Sequence, residues 1–158
     1  MGQIQRSIDV NVPVRTAYNQ WTQFEEFPKF MEGVEHVQQL DDRRLHWRAD
    51  VGGKTVEWDA QIVDQIPDKR IAWCSTSGAR NAGAVTFHRL SDDQTRIMLQ
   101  LDYEPEGVIE HAGDILGVVE RRAAGDLERF REFIEGRGVE TGAWRGKVPS
   151  PSDQPHRS

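Results

Sequence analysis

Cysteine is almost missing from this chain. Cys74 is the single example, which excludes an internal disulfide framework and any Cys-rich zinc site and fits a reducing cytoplasm. Positive charge is in deficit: 20 Lys and Arg stand against 26 Asp and Glu, a formal net charge of −6. Bulk electrostatics therefore argue against nucleic acid or an anionic membrane surface as a partner. No run of about 18 apolar residues is present, and the first residues carry no signal-peptide core, so no membrane insertion is expected. Met1-Gly2 opens like a myristoylation site, but Arg6 stands where Ser or Thr is needed. The five histidines show no i, i+2 or i, i+4 pairing, so neither a metal nor another cofactor is expected. These absences lead to the expectation of a cytoplasmic monomer or weak homodimer.

What is there suits one domain. Of 158 residues, 37% are hydrophobic, and counting Gly in place of Tyr raises this to about 45%, the lower edge of the globular range. Ile4, Arg6, Ile8 and Val10 alternate with polar residues as a first strand. After Pro13, Val14–Trp21 and Phe24–Phe30 read as two short helices, the second broken by Pro28. Val34–Leu40 is a modest strand. Leu45, Trp47, Ala49 and Val51 then alternate up to Gly52-Gly53, a two-residue hairpin turn, and Val56, Trp58, Ala60 and Ile62 continue beyond it. Pairing Val51 with Lys54 sets Trp47 opposite Trp58. A turn at Pro67-Asp68, pairing Ile66 with Lys69, sets Ile62 opposite Trp73. Ala84–Leu90 and Thr95–Tyr103 follow, and a three-residue turn at Asp92–Gln94 would set Phe87 opposite Leu99. The outcome is an antiparallel meander with one apolar, aromatic-rich face.

Val108–Glu135 carries Ile109, Ala112, Ile115, Leu116, Val119, Ala123, Leu127, Phe130 and Ile134 as one stripe at helical period. At ~1.5 Å per residue it is roughly 42 Å long, enough to cross the sheet. Pairs such as Asp126/Arg129 and Glu128/Arg131 solvate its other side. Residues 1–136 thus form the domain. Residues 137–158, Gly/Pro-rich and poor in apolar residues apart from Trp144 and Val148, are expected to be a disordered tail.

Three stretches carry a family resemblance. "SIDVNVPVRTAYNQWTQFEEFPKFM" is similar to the opening of the START-like (SRPBCC) superfamily, "WDAQIVDQIPDKRIAW" to its central hairpin, and "GAVTFHRL" with "TRIMLQLDY" to its last hairpin. The resemblance spans roughly residues 3–136 and is closest to the bacterial polyketide cyclase/dehydrase and coenzyme-Q-binding-like branch. It implies an α+β helix-grip fold: a seven-stranded curved antiparallel sheet around a long C-terminal helix, with two short helices after the first strand. It also implies a cavity between sheet and helix. Members bind sterols, lipids, quinones, hormones or polyketides, and some catalyse ring closure or dehydration; the fold alone does not choose among these.

Trp47, Trp58 and Trp73 share the inner face of three adjacent strands, either as a wall for a flat apolar ligand or as plain core under the helix. Phe87, Leu99, Leu101, Ile115, Leu116 and Val119 are the further apolar lining expected. Arg6 and Arg89 sit at inward parity and could orient a ligand carboxylate, phenolate or carbonyl, or could reach water at strand ends. Tyr103, Tyr18 and Ser75 are candidate hydrogen-bonding groups. His46, His88 and Cys74 have outward parity. Access is expected near residues 108–117 and the loops at 76–83 and 52–53. Binding of a small hydrophobic or aromatic ligand is the first reading. An aromatase/cyclase or dehydrase using the same cavity is the alternative, and it lacks an inward carboxylate or His to act as general acid or base. An interaction module built on the charged outer face ranks last.

Overall fold

The computed structural model describes residues 2–51, 53–78, 80–104 and 112–148. For Gly2, 51, 80, 103, 104, 112–116, 118 and 119 it describes the backbone alone. The strands are β1 (Gly2–Val10), β2 (Val34–Gln39), β3 (Arg44–Val51), β4 (Lys54–Ile66), β5 (Arg70–Gly78), β6 (Arg80–Ser91) and β7 (Gln94–Glu104). Helix α1 (Val14–Trp21) and a 3₁₀ helix (Phe24–Lys29) lie between β1 and β2, and the long helix α2 (Ala112–Arg137) follows β7. One antiparallel sheet runs in the order β1-β7-β6-β5-β4-β3-β2. It curls around the C-terminal half of α2, where Ala123, Leu127, Phe130 and Ile134 are buried. This is the helix-grip arrangement. No helix among the described residues is long and apolar enough to cross a membrane.

Turn chemistry sets most of the registers. Gly53 sits at φ 85°, and Asp50 Oδ1 accepts its N–H at 2.9 Å, so Val51 pairs with Lys54 and Trp47 with Trp58. The next hairpin needs a correction. Asp68 takes φ 65°, and Ile66 pairs with Arg70 where Lys69 is expected. An irregularity between Ile62 and Asp64 then restores the expected pairing of Ile62 with Trp73. The last hairpin is corrected in the same way. Ser91 pairs with Gln94 across a two-residue turn, and a bulge between Arg89 and Ser91 leaves Phe87 opposite Ile97 and Val85 opposite Leu99. The slip is two residues, so the same side chains stay on the inner face.

The C-terminal segment departs furthest from expectation. Gly138, at φ 74°, ends α2 by giving its N–H to Ile134 O at 2.9 Å. Residues 139–148 then lie across α1 and are not the disordered tail expected there. Glu140 Oε2 accepts from Asn19 Nδ2 at 2.7 Å, and Thr141 N–H donates to Gln20 Oε1 at 2.8 Å. Trp144 N–H donates to Thr22 Oγ1 at 3.0 Å. Arg145 donates to Asn19 Oδ1 and Asp68 Oδ2 and lies over the Tyr18 ring. Val148 exchanges both backbone hydrogen bonds with Gln65, at 2.7 and 2.9 Å, and is buried. Side chains that look like solvated polar positions on α1 are the anchors of this strap. Residues 149–158 lie outside the described part.

Candidate functional site

The inner face of the sheet does not close completely on α2. A cavity of about 160 Å³ remains, lined by Trp47, Trp58 and Trp73 from β3, β4 and β5, by Leu99 and Leu101 from β7, and by Trp21, Phe24 and Phe27 beside α2. Trp47 and Trp58 are the cross-strand pair set by the Gly52-Gly53 hairpin, and their rings stack at 5.6 Å with 8° between planes. Trp73 lies over Gly83 of β6, its cross-strand partner, where a Cβ would overlap the indole and approach Gln100 O to 2.9 Å. The lining is overwhelmingly apolar, and Trp47 Nε1 is buried within it with no hydrogen-bond partner among the described residues.

One end of the cavity is polar. Here the turn after the 3₁₀ helix, Met31–Val34, meets the flank of α2 at Arg122 and Asp126, and the exposed side chain of Glu32 brings the cavity to the surface. Asp126 Oδ1 accepts from the Glu32 N–H at 2.9 Å and from Arg129 Nη2 at 2.6 Å. Arg129 also donates to Phe30 O at 2.9 Å and lies 3.5 Å from Glu32 Oε2, so it is shared between two carboxylates. Gly125 leaves room for it, since a Cβ there would lie 3.0 Å from Arg129 Nη1. Burial pushes the Asp126 carboxyl up from 3.8 to about 6, outweighing the hydrogen bonds from Arg129 and Glu32 that act in the opposite direction. A carboxyl titrating there can accept or give a proton near neutral pH.

Of the residues expected at the site, the structure brings together Trp47, Trp58, Trp73, Leu99 and Leu101. Phe87 is placed elsewhere: it is buried against Tyr18 and Trp21, with ring centroids 5.4 and 6.3 Å away, as core beneath α1. Arg6 is exposed and ion-pairs with Glu120 of α2 at 2.5 Å. Arg89 is exposed and pairs with Asp92 in the β6–β7 turn. Both cations therefore have carboxylate partners outside the cavity. Tyr18 is fully buried, its hydroxyl accepting from Gln65 Nε2 at 3.1 Å, and Ser75 Oγ accepts the Asn81 N–H at 3.1 Å. The side chains of Tyr103, Ile115, Leu116 and Val119 lie outside the described residues, as do 108–111, where part of the entrance was expected. The 76–83 loop is largely absent, because β5 runs to Gly78 and β6 starts at Arg80.

Sequence reasoning missed Asp126 and Arg122. Each immediately precedes a buried stripe residue, Ala123 or Leu127, and so stands about 100° round the helix from it, on the flank that faces the Glu32 turn. The visible signal was the i, i+3 pairing of Asp126 with Arg129, which reads equally well as surface solvation.

Comparison with known proteins agrees with this architecture. Residues 10–131 match the model of the family described as polyketide cyclase / dehydrase and lipid transport. A protein of Streptomyces lincolnensis, described as an uncharacterized 17.2 kDa protein in the melC2-rnhH intergenic region, is 57% identical over 149 residues, covering 94% of this chain and 99% of its own. Among solved structures, the Zhui aromatase/cyclase from Streptomyces sp. R1128 superposes with a TM-score of 0.77 at 17% identity, over 90% of this chain and 99% of the other. A START superfamily protein from Mycobacterium smegmatis gives 0.65 at 14% identity, over 85% and 95%. At such identities these two structures speak for the fold. The family match, running from the end of β1 through most of α2, establishes that the chain belongs to the polyketide cyclase/dehydrase and lipid-transport family.

Proposed function

We propose that this protein binds a small, flat hydrophobic or aromatic molecule, of the polyketide, quinone or lipid class, between the sheet and α2. The observation that carries this reading is the stacked Trp47–Trp58 pair forming one wall of an apolar cavity. Filling the core does not by itself require such a void, because interiors normally pack without gaps larger than a water molecule. Size narrows the choice. A dry cavity of about 150 Å³ holds a benzene-sized ring, so the 160 Å³ here accepts one or two rings, or the head of a longer molecule, in this conformation. The unpartnered Trp47 Nε1 favours a ligand with an acceptor oxygen, since an unpaired buried donor costs roughly 1–3 kcal/mol.

Native mass spectrometry of protein from its own host tests this reading. A co-purifying small molecule that is lost in Trp58→Ala is the expected result. Empty protein, with naphthalene binding unchanged by Trp58→Ala, would overturn it.

Asp126 favours a second reading, in which the cavity folds a poly-β-keto chain and assists ring closure or loss of water. Its carboxyl, titrating at about 6 on the cavity wall, is the acid or base such chemistry needs. With a poly-β-keto substrate analogue, Asp126→Asn should abolish turnover and leave binding intact; turnover unchanged by the substitution would remove this reading.

A further inference from the structure

The cavity lining carries five charged side chains, Glu32, Asp50, Asp102, Arg122 and Asp126, and they are not equally matched. Glu32 and Asp126 both turn to Arg129, two carboxylates around one guanidinium. Asp50, which also borders the cavity, uses Oδ1 on the Gly53 N–H. Arg122 is different. It lines the cavity and is half-buried, yet among the described residues it has no hydrogen bond and no ion pair. The position is built. Arg122 lies against Gly33, where a Cβ would overlap its guanidinium and approach Asp50 O to 2.8 Å. Gly33 also takes φ 87°, and its carbonyl accepts the Asp50 N–H at 2.7 Å, pinning the turn to β3.

An exposed arginine without a partner means little, because water solvates it. Here the guanidinium borders an apolar cavity whose wall removes much of that water; Glu32 and Asp126 face Arg129, and neither Asp50 nor Asp102, the other acids of the lining, pairs with Arg122. Resting on the reading that the cavity binds a flat ligand, we propose that Arg122 makes the site selective for an acidic aromatic molecule. The rings lie along Trp47 and Trp58, and a carboxylate or comparable anion lies at the Glu32–Gly33 end against the Arg122 guanidinium. Geometry favours a planar anion, because the guanidinium offers paired N–H donors to two oxygens at once. Arg129 offsets part of the charge of Glu32 and Asp126, and Arg122 is the guanidinium of the lining left open to a ligand anion.

The test uses 2-naphthoate and its neutral isostere 2-naphthamide, titrated calorimetrically into the full chain and into Arg122→Gln, Arg122→Lys and Trp58→Ala. Wild-type protein should bind the naphthoate at least about tenfold more tightly than the amide, as expected for a hydrogen bond to a charged group. Arg122→Gln should erase that difference by weakening the naphthoate far more than the amide, whose retained binding also shows that the variant is folded. Arg122→Lys should keep part of the preference, and Trp58→Ala should weaken both probes, placing them in the cavity. Equal binding of the two probes by wild type, or equal weakening of both by Arg122→Gln, would overturn the anion preference and leave the cavity reading standing. If neither probe binds, or if Trp58→Ala affects neither, the cavity reading falls and this inference falls with it.

Discussion

Asp126 is pulled two ways, and the balance makes it a measurable group. Burial raises its carboxyl from 3.8 to about 6 in the folded chain, although Arg129 and the Glu32 N–H both stabilise the ionised form. Between those two values the folded state holds a proton that the unfolded state has released, so stability contributed by this group falls as pH rises through the window. Above it, the buried charge costs at most about 3 kcal/mol. Asp126→Asn should remove this slope, so that the variant gains on wild type as pH rises from about 4 to 6.5 in denaturant titrations. Parallel curves would show that the charge is better solvated than its burial implies. Gly83 offers a second test at this scale. Gly83→Val would push Trp73 off its seat, with an expected loss of about 1–3 kcal/mol from overpacking. Binding of aromatic probes should weaken as well; probe affinity unchanged in a destabilised variant would detach Trp73 from the site.

Among the elements, the strap at residues 139–148 and α1 depend on one another. Helix α1 is only eight residues long and has no side-chain cap, so it is too short to persist alone and is held by what covers it. Ala17, Tyr18 and Trp21 face the sheet and core, while Asn19 and Gln20 are buried beneath the strap. Deleting residues 139–158 would expose Val148's site, unpair the Gln65 backbone and strand Asn19 and Gln20. The expected cost is about 3 kcal/mol or more, a fall in melting temperature of roughly 6–12 °C. A shift under a degree or two would mean the strap only rests on the surface. Composition hid this element: it opens a Gly/Pro-rich stretch, and a segment tied down by side-chain hydrogen bonds shows neither periodicity nor an apolar run. The strands were far more legible, because Gly52-Gly53 and alternating Trp and Ala residues specify both a turn and a face. Bulges near Val63 and Leu90 were not, since a one-residue insertion beside a compensating turn leaves the parity of side chains unchanged.

At the scale of the whole molecule, an aromatic cluster lies where α1, the 3₁₀ helix and the C-terminal half of α2 converge on the sheet. Phe130 is fully buried there, with ring centroids of Trp21 and Phe30 at 4.8 and 5.2 Å. Phe130→Ala should cost about 3–5 kcal/mol in thermal or chemical unfolding. A loss below 1 kcal/mol would mean that the aromatic cluster repacks freely. The candidate site is split by the same geometry. Its apolar wall comes from strands whose alternation can be read along the chain, so Trp47, Trp58 and Trp73 were foreseeable. Its polar end joins Glu32 to Asp126 across 94 residues, a contact that no local pattern encodes.

That concentration of indoles has an optical consequence. The chain holds five tryptophans, and four of them, Trp21, Trp47, Trp58 and Trp73, border the one cavity; the fifth, Trp144, lies on the strap. Four of the five indoles that can emit in the ultraviolet therefore stand in the walls of its candidate site, and the near-parallel Trp47–Trp58 pair lets excitation pass between neighbours before it is emitted. An aromatic guest that quenches one ring would dim the set, so the unlabelled chain is its own optical sensor. Replacing Trp144 by Phe would leave a spectrum that reports on the cavity alone.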